Sequence, residues 1–169
     1  TMAFMPSLDQ IVAVMEAKSY RLYRGTKPQQ RGLNIVGIRS RADSPDKFDD
    51  TIAIFYLLPN AADLMLFAIT TDPSPYYLKK PIPGTPGTAI LKEGQYKDVY
   101  KIATHQPPGG SGHTAVCQRL GDVTVWRDDT RDGKLNYVNP QTGSFGINIH
   151  KGPANGDWET KSLNYSAGC

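Results

Sequence analysis

The 169-residue chain carries two cysteines, Cys117 and Cys169, and three histidines, His105, His113 and His150. A thiol with a pKa of about 8.5 is only a few per cent thiolate at neutral pH, so a nucleophilic cysteine needs an imidazole to take its proton. One pair has the setting for this. Cys169 closes the run Ser166-Ala167-Gly168-Cys169, and His150 closes Gly146-Ile147-Asn148-Ile149-His150. The alternation in residues 147–150 predicts a strand with Asn148 and His150 on one face and both isoleucines toward the core. The fifteen residues between His150 and Ser166 are rich in Gly, Asn, Asp and Lys, a surface-loop composition long enough to return the thiol to that strand. Gly168 lets backbone N–H groups approach a developing oxyanion, an effect worth about 3–4 kcal/mol per donor. Cys169 is thus the candidate nucleophile and His150 the candidate base, with Ser166 and Gly168 as helpers. Asn148, His113 and Tyr165 are expected to meet the substrate.

The other chemically interesting residues have plainer readings. Cys117 lies in an apolar run and is expected in the core. His105 has no constellation around it in the sequence. Asp128-Asp129-Thr130-Arg131-Asp132-Gly133 resembles the start of a calcium loop, but Asn139 stands where a bidentate glutamate is needed, so a hairpin loop is expected. No Cys/His set has zinc spacing, and neither metal nor cofactor is expected. Two cysteines make no disulfide framework, and a Cys117–Cys169 bridge would consume the nucleophile. Tyr76, Tyr77, Tyr96 and Tyr100 are core or rim aromatics, with the floor of a glycan or peptide groove as the sharper alternative.

These residues must be positioned by a chain long enough to bury a real core. Its net charge of +3 comes from 19 basic and 16 acidic residues without a like-charge run, which gives no footprint for nucleic acid. No apolar run has the length of a membrane span. Residues 1–10 lack the basic-then-apolar order of a signal peptide, so prior removal of a leader or another route across a membrane is expected if the chain is exported. Residues 7–24 read as one amphipathic helix opened by a Ser7/Gln10 capping box. Strands are predicted at 34–39, 51–58, 63–70, 88–96, 100–104, 114–120, 123–128, 134–138 and 145–150. Gly121-Asp122 reads as the tight turn of a hairpin joining 114–120 to 123–128. The proline-rich stretch 71–87 suggests a boundary, and the glycine-rich loop 106–112 is expected to cover a cleft.

His150, the gap of fifteen residues and Ser166-x-Gly168-Cys169 together resemble the signature of the YkuD-type L,D-transpeptidases, a histidine followed after a similar gap by Ser/Thr-His-Gly-Cys. Gly84-Thr85-Pro86-Gly87-Thr88 is similar to the Thr-Pro-x-Gly element that often opens that domain. The resemblance covers about residues 81–169. It implies a mainly β, L,D-transpeptidase-like β-sandwich, here with an N-terminal helix and extra N-terminal strands. Residues 1–80 would be a packed extension and 81–169 the catalytic region. It further implies that Cys169 takes an acyl group from a peptidoglycan peptide stem in the periplasm or cell wall and passes it to an amine or to water. Two departures stand out: Ala167 replaces the family's histidine, and the sequence stops at Cys169 where the family runs on. A chain cut short is the expected reason, since a terminal carboxylate beside the thiol would raise its pKa. The rival expectation is a non-catalytic wall-binding or interaction domain on the same fold. Oligomeric state is not legible.

Overall fold

Ser7 starts the first helix as expected: its hydroxyl accepts from the Gln10 amide (3.2 Å), and the Gln10 side chain accepts from the Ser7 amide (2.9 Å). In the computed structural model, which describes residues 4–42, 45, 47–106, 110–152 and 166–167, this helix, α1, spans Leu8–Ala17. It ends seven residues before the expected Arg24. Ser19 adopts a left-handed φ of 56°, and the amides of Ser19 and Tyr20 bond back to the Glu16 and Met15 carbonyls (2.9 and 2.8 Å). That is a Schellman stop, with Tyr20 packed over the same cluster as Met15.

The chain divides into two compact units: residues up to 42 together with 48–70 form the first, and the chain from Thr71 onward, with the segment between 42 and 48, groups as the second. In the first, strands β1 (Leu33–Ile38), β2 (Asp50–Leu58) and β3 (Ala61–Ile69) form an antiparallel sheet in the order β1-β2-β3. The central strand presents Ala53, Phe55 and Leu57 to Ile11 and Met15 of α1. Period-two alternation in the strand thus meets helical spacing in α1, and both apolar sets leave water together.

The second unit begins with α2 (Pro75–Lys79), followed by β4 (Thr88–Leu91), β5 (Tyr100–His105), β6 (His113–Gln118), β7 (Val123–Asp128) and β8 (Gln141–Gly143). The expected boundary at 80/81 falls inside this unit. α2 buries Leu78 completely, and its Tyr77 carbonyl accepts from the Thr88 hydroxyl (2.6 Å). At the start of β4, Gly87 has φ 127°, and a Cβ there would sit 2.6 Å from the Asp128 carbonyl. Only glycine allows β4 to enter beside β7 so closely. One sheet has the order β4-β7-β8, and β5 pairs with β6 alone. All these pairings are antiparallel. Ala89, Val99, Val123, Val125 and Ile147 form the core.

The protein is therefore mainly β, with eight strands and two short helices among the described residues. Four expectations require correction. Residues 121–122 do not close a hairpin, because β6 and β7 belong to different sheets. The strand expected at 88–96 stops at Leu91, after which Tyr96 turns its hydroxyl back to the Lys92 and Thr124 carbonyls (2.7 and 3.1 Å). Residues 134–138 form no strand. The Lys134 and Asn136 amides donate instead to Asp132 and Asp128 carboxylates (2.9 and 3.1 Å), and pairing with β7 begins later, at Gln141. Residues 145–150 form no strand either, for a reason that builds the site described below.

Phe55→Ala should lower the stability of the first unit by about 3–5 kcal/mol through the cavity it leaves under α1, measured by denaturant unfolding. A loss below about 1 kcal/mol would show that the helix does not depend on this sheet face.

Candidate functional site

The antiparallel register of β5 and β6 sets His105 opposite His113. Their rings meet edge to face, with centroids 5.2 Å apart. The third histidine arrives from residues 145–150, which run back along β6 without joining it as a strand. Phe145 and Ile147 donate their amides not to a neighbouring backbone but to the side-chain oxygen of Gln118 (3.2 and 3.0 Å). The Gln118 side-chain nitrogen donates to the Gly121 and Gly143 carbonyls (both 3.0 Å). Gln118 is 1% exposed, so these four bonds are what makes its burial tolerable.

Pairing resumes for a single step. Val116 and Ile149 exchange two backbone hydrogen bonds (3.0 and 2.8 Å). Beside them the Asn148 side-chain oxygen accepts from the Gln118 amide (2.9 Å), supplying a rung where the backbone has turned away. The expected alternation is corrected here. Ile147 is buried, but Ile149 is 37% exposed, while Asn148 is buried at 6%. Asn148 faces inward because its amide is consumed by β6 on one side and by His105 Nδ1 on the other (3.0 Å).

This route lays His150 on His105, ring on ring, with centroids 4.2 Å apart and planes 12° from parallel. His113 lies 5.8 Å from His150 and tilted by 56°. His150 places Nδ1 2.9 Å from the Lys151 carbonyl. A carbonyl only accepts, so Nδ1 carries the proton and Nε2 is the basic nitrogen. Burial pushes the His150 pKa below the ordinary imidazole value; the Lys151 carbonyl opposes this and His113 adds to it. His105 is also lowered, first by desolvation and then by His150, His113 and Arg119. Two charged rings at this separation would repel by roughly 1 kcal/mol in water and about 4 kcal/mol at an effective dielectric constant of 20. Packing thus disfavours charge on the stacked pair His105 and His150.

Of the expected site residues, the structure brings together His150, Asn148 and His113. It adds His105, which the sequence left without partners. The signal that could have found it is indirect: a β5–β6 pairing centred on residues 106–112 puts both histidines at its mouth. Ser166 is buried, and its carbonyl accepts from the Ser74 amide beside α2 (2.8 Å). Cys169, Gly168 and Tyr165 lie outside the described residues, as do 107–109 of the loop expected to cover a cleft. Cys117 is fully buried, as a core cysteine should be.

The remaining polar features have structural roles. Asp128 and Asp132 accept from the side chains of Thr130 and Asn136 and from the backbone amides of Thr130, Lys134 and Asn136 in their own loop. The acidic loop is thus closed by internal hydrogen bonds. Tyr96 and Tyr100 pack on the second unit's core, and burial pushes the Tyr100 hydroxyl up to about 12. Tyr76 is exposed and meets Tyr77 edge to face. Among the described residues no three His, Cys, Asp or Glu side chains are arranged to hold a metal ion. No described helix is long and apolar enough to cross a membrane. Compared with profiles of known families, with curated proteins and with solved structures, the chain matches none.

Gln118→Met conserves approximate volume but strips the Phe145 and Ile147 amides of their acceptor. It should cost about 3 kcal/mol or more and speed hydrogen exchange at those two amides. Unchanged exchange there would mean that the 143–148 segment is held by something else.

Proposed function

We propose that the chain is a cysteine acyl-transfer enzyme of the L,D-transpeptidase type, acting on peptidoglycan peptide stems in the periplasm or cell wall. The second unit would be the family's β-sandwich-like catalytic region. The observation that carries this reading is the state of His150: neutral, with Nδ1–H held by the Lys151 carbonyl and Nε2 left as the basic nitrogen. A general base needs that tautomer, and the carbonyl does the orienting that a carboxylate does in other triads. Ser166, three residues before Cys169, is held by the same unit, and Gly168 precedes the thiol as an oxyanion site requires.

In the proposed reaction His150 Nε2 removes the Cys169 proton, and the thiolate attacks the stem carbonyl. The carbonyl π-electrons move onto oxygen, where backbone N–H groups near Gly168 hold the charge. As the carbonyl re-forms, the C–N bond breaks and His150 returns its proton to the leaving amine, which leaves a Cys169 thioester. An acceptor amine or water, deprotonated by His150, then attacks the thioester and expels the thiolate, which recovers the proton. An amine acceptor gives cross-linking; water gives carboxypeptidase or endopeptidase activity.

The test is incubation with purified tetrapeptide muropeptides, read by mass. Conversion should fall by about 10²-fold or more in His150→Gln and vanish in Cys169→Ala. A carbapenem should add its mass to the wild-type chain only. Conversion that persists undiminished in Cys169→Ala would sink the reading, and so would the absence of both conversion and adduct.

The base works unprotonated, so activity rises with pH through the His150 pKa. Because burial lowers that pKa, the acid limb should lie below the ordinary imidazole value of about 6.5. A pH profile of kcat/KM with its limb above neutrality would contradict this assignment.

A further inference from the structure

The stacked pair His105–His150 raises a question that the acyl-transfer reading alone does not answer. Two imidazoles in face-to-face contact compete for one proton, and a base is useful only if the competition is decided. The hydrogen bonds around Asn148 decide it. The Gln118 backbone amide is an obligatory donor, and it points at the Asn148 side chain from 2.9 Å. The atom that receives it must be Oδ1, because Nδ2 cannot accept. The amide is thereby fixed with Nδ2 facing His105 Nδ1 at 3.0 Å. Nδ2 can only donate, so His105 Nδ1 must accept with a bare lone pair. A proton there would set N–H against N–H in a half-buried contact. His105 is thus held as the neutral, Nε2–H tautomer by a chain of two bonds that begins in the β6 backbone.

His150 is fixed the opposite way, with its proton on Nδ1. The rings in contact therefore carry complementary tautomers, one imposed by a donor and the other by an acceptor. We infer that Asn148 and His105 are positioning residues that keep an uncharged ring under His150, so that His150 alone of the pair takes and returns the proton of the reaction. This rests on the acyl-transfer reading for its catalytic meaning, but not for its chemistry. The groups facing His105 are His113 across the β5–β6 pair, His150 above it and Arg119 just beyond β6, and each disfavours a charge on it. Lys151 faces His150 through its backbone carbonyl. In this arrangement Asn148 acts through His105.

Long-range proton–nitrogen correlation spectra of the nitrogen-15-labelled chain test this directly. There are only three imidazoles, each assigned by its His→Gln variant. At neutral pH His105 should show a bare Nδ1 and a protonated Nε2, and His150 the reverse. On acidification His150 should take its proton before His105. Asn148→Asp turns the Nδ1 partner from donor to acceptor, so the His105 midpoint should rise above the ordinary imidazole value. A charged or Nδ1–H His105 at neutral pH in the wild type would overturn the inference, as would an unmoved midpoint in a folded Asn148→Asp. Should that variant not fold, the wild-type tautomers still decide. Cys169-dependent turnover with the wrong His105 tautomer would spare the activity and sink the positioning role. Correct tautomers with no turnover would sink the activity and support the proton arrangement alone.

Discussion

The second unit is organised around one saturated amide. Gln118 sits at the end of β6 with 1% exposure and uses both donors and both acceptor positions of its side chain on backbone groups of residues 121, 143, 145 and 147. A buried amide left half-bonded would cost about 1–3 kcal/mol per missing partner, so these four contacts stand or fall together. Its backbone amide adds a fifth bond, to Asn148. Through Gln118 the segment after β8 is held against β6 without ladder pairing, and it delivers His150 to the mouth of the β5–β6 pair.

A regular strand could not have done this. Continuous pairing of residues 145–150 along β6 would have sent alternate side chains to opposite faces, leaving Asn148 and His150 side by side and both isoleucines inward. The irregular path turns Asn148 into the space between β6 and His105, and leaves Ile149 at the surface. Backbone satisfaction passes from sheet to side chain, and what is gained is the stacked pair His105–His150 with Asn148 bonded to the edge of the His105 ring. The lowered pKa values of His105 and His150 follow from the same packing: partial burial and like neighbours oppose charge on both.

Much of the framework was legible. The Ser7/Gln10 box predicted the start of α1, and the strands at Asp50–Leu58 and Val123–Asp128 follow from β-branched and aromatic runs bounded by turn residues. Cys117, expected in the core from its place inside the 114–120 run, is fully buried. Errors gathered where side chains replace backbone partners. The end of α1 is a separate case: it moved because Ser19 takes a left-handed φ and closes the helix with backbone bonds. The 134–138 strand vanished because Asp128 and Asp132 take its amides.

His105 shows the limit most plainly. In the sequence it is an isolated histidine before a proline-glycine loop, with nothing to raise it above a solvated side chain. Its role arises from a cross-strand register with His113 and from a segment more than forty residues later that returns to cover it. Residue types and spacing determined the local periods, the helix cap and the buried cysteine, because each depends on neighbours a few residues apart. Which strands share a sheet, how Asn148 is turned and which ring nitrogen of His105 it meets were decided only by the tertiary structure. Those outcomes depend on long-range hydrogen bonds to Gln118, whose partners no local pattern names.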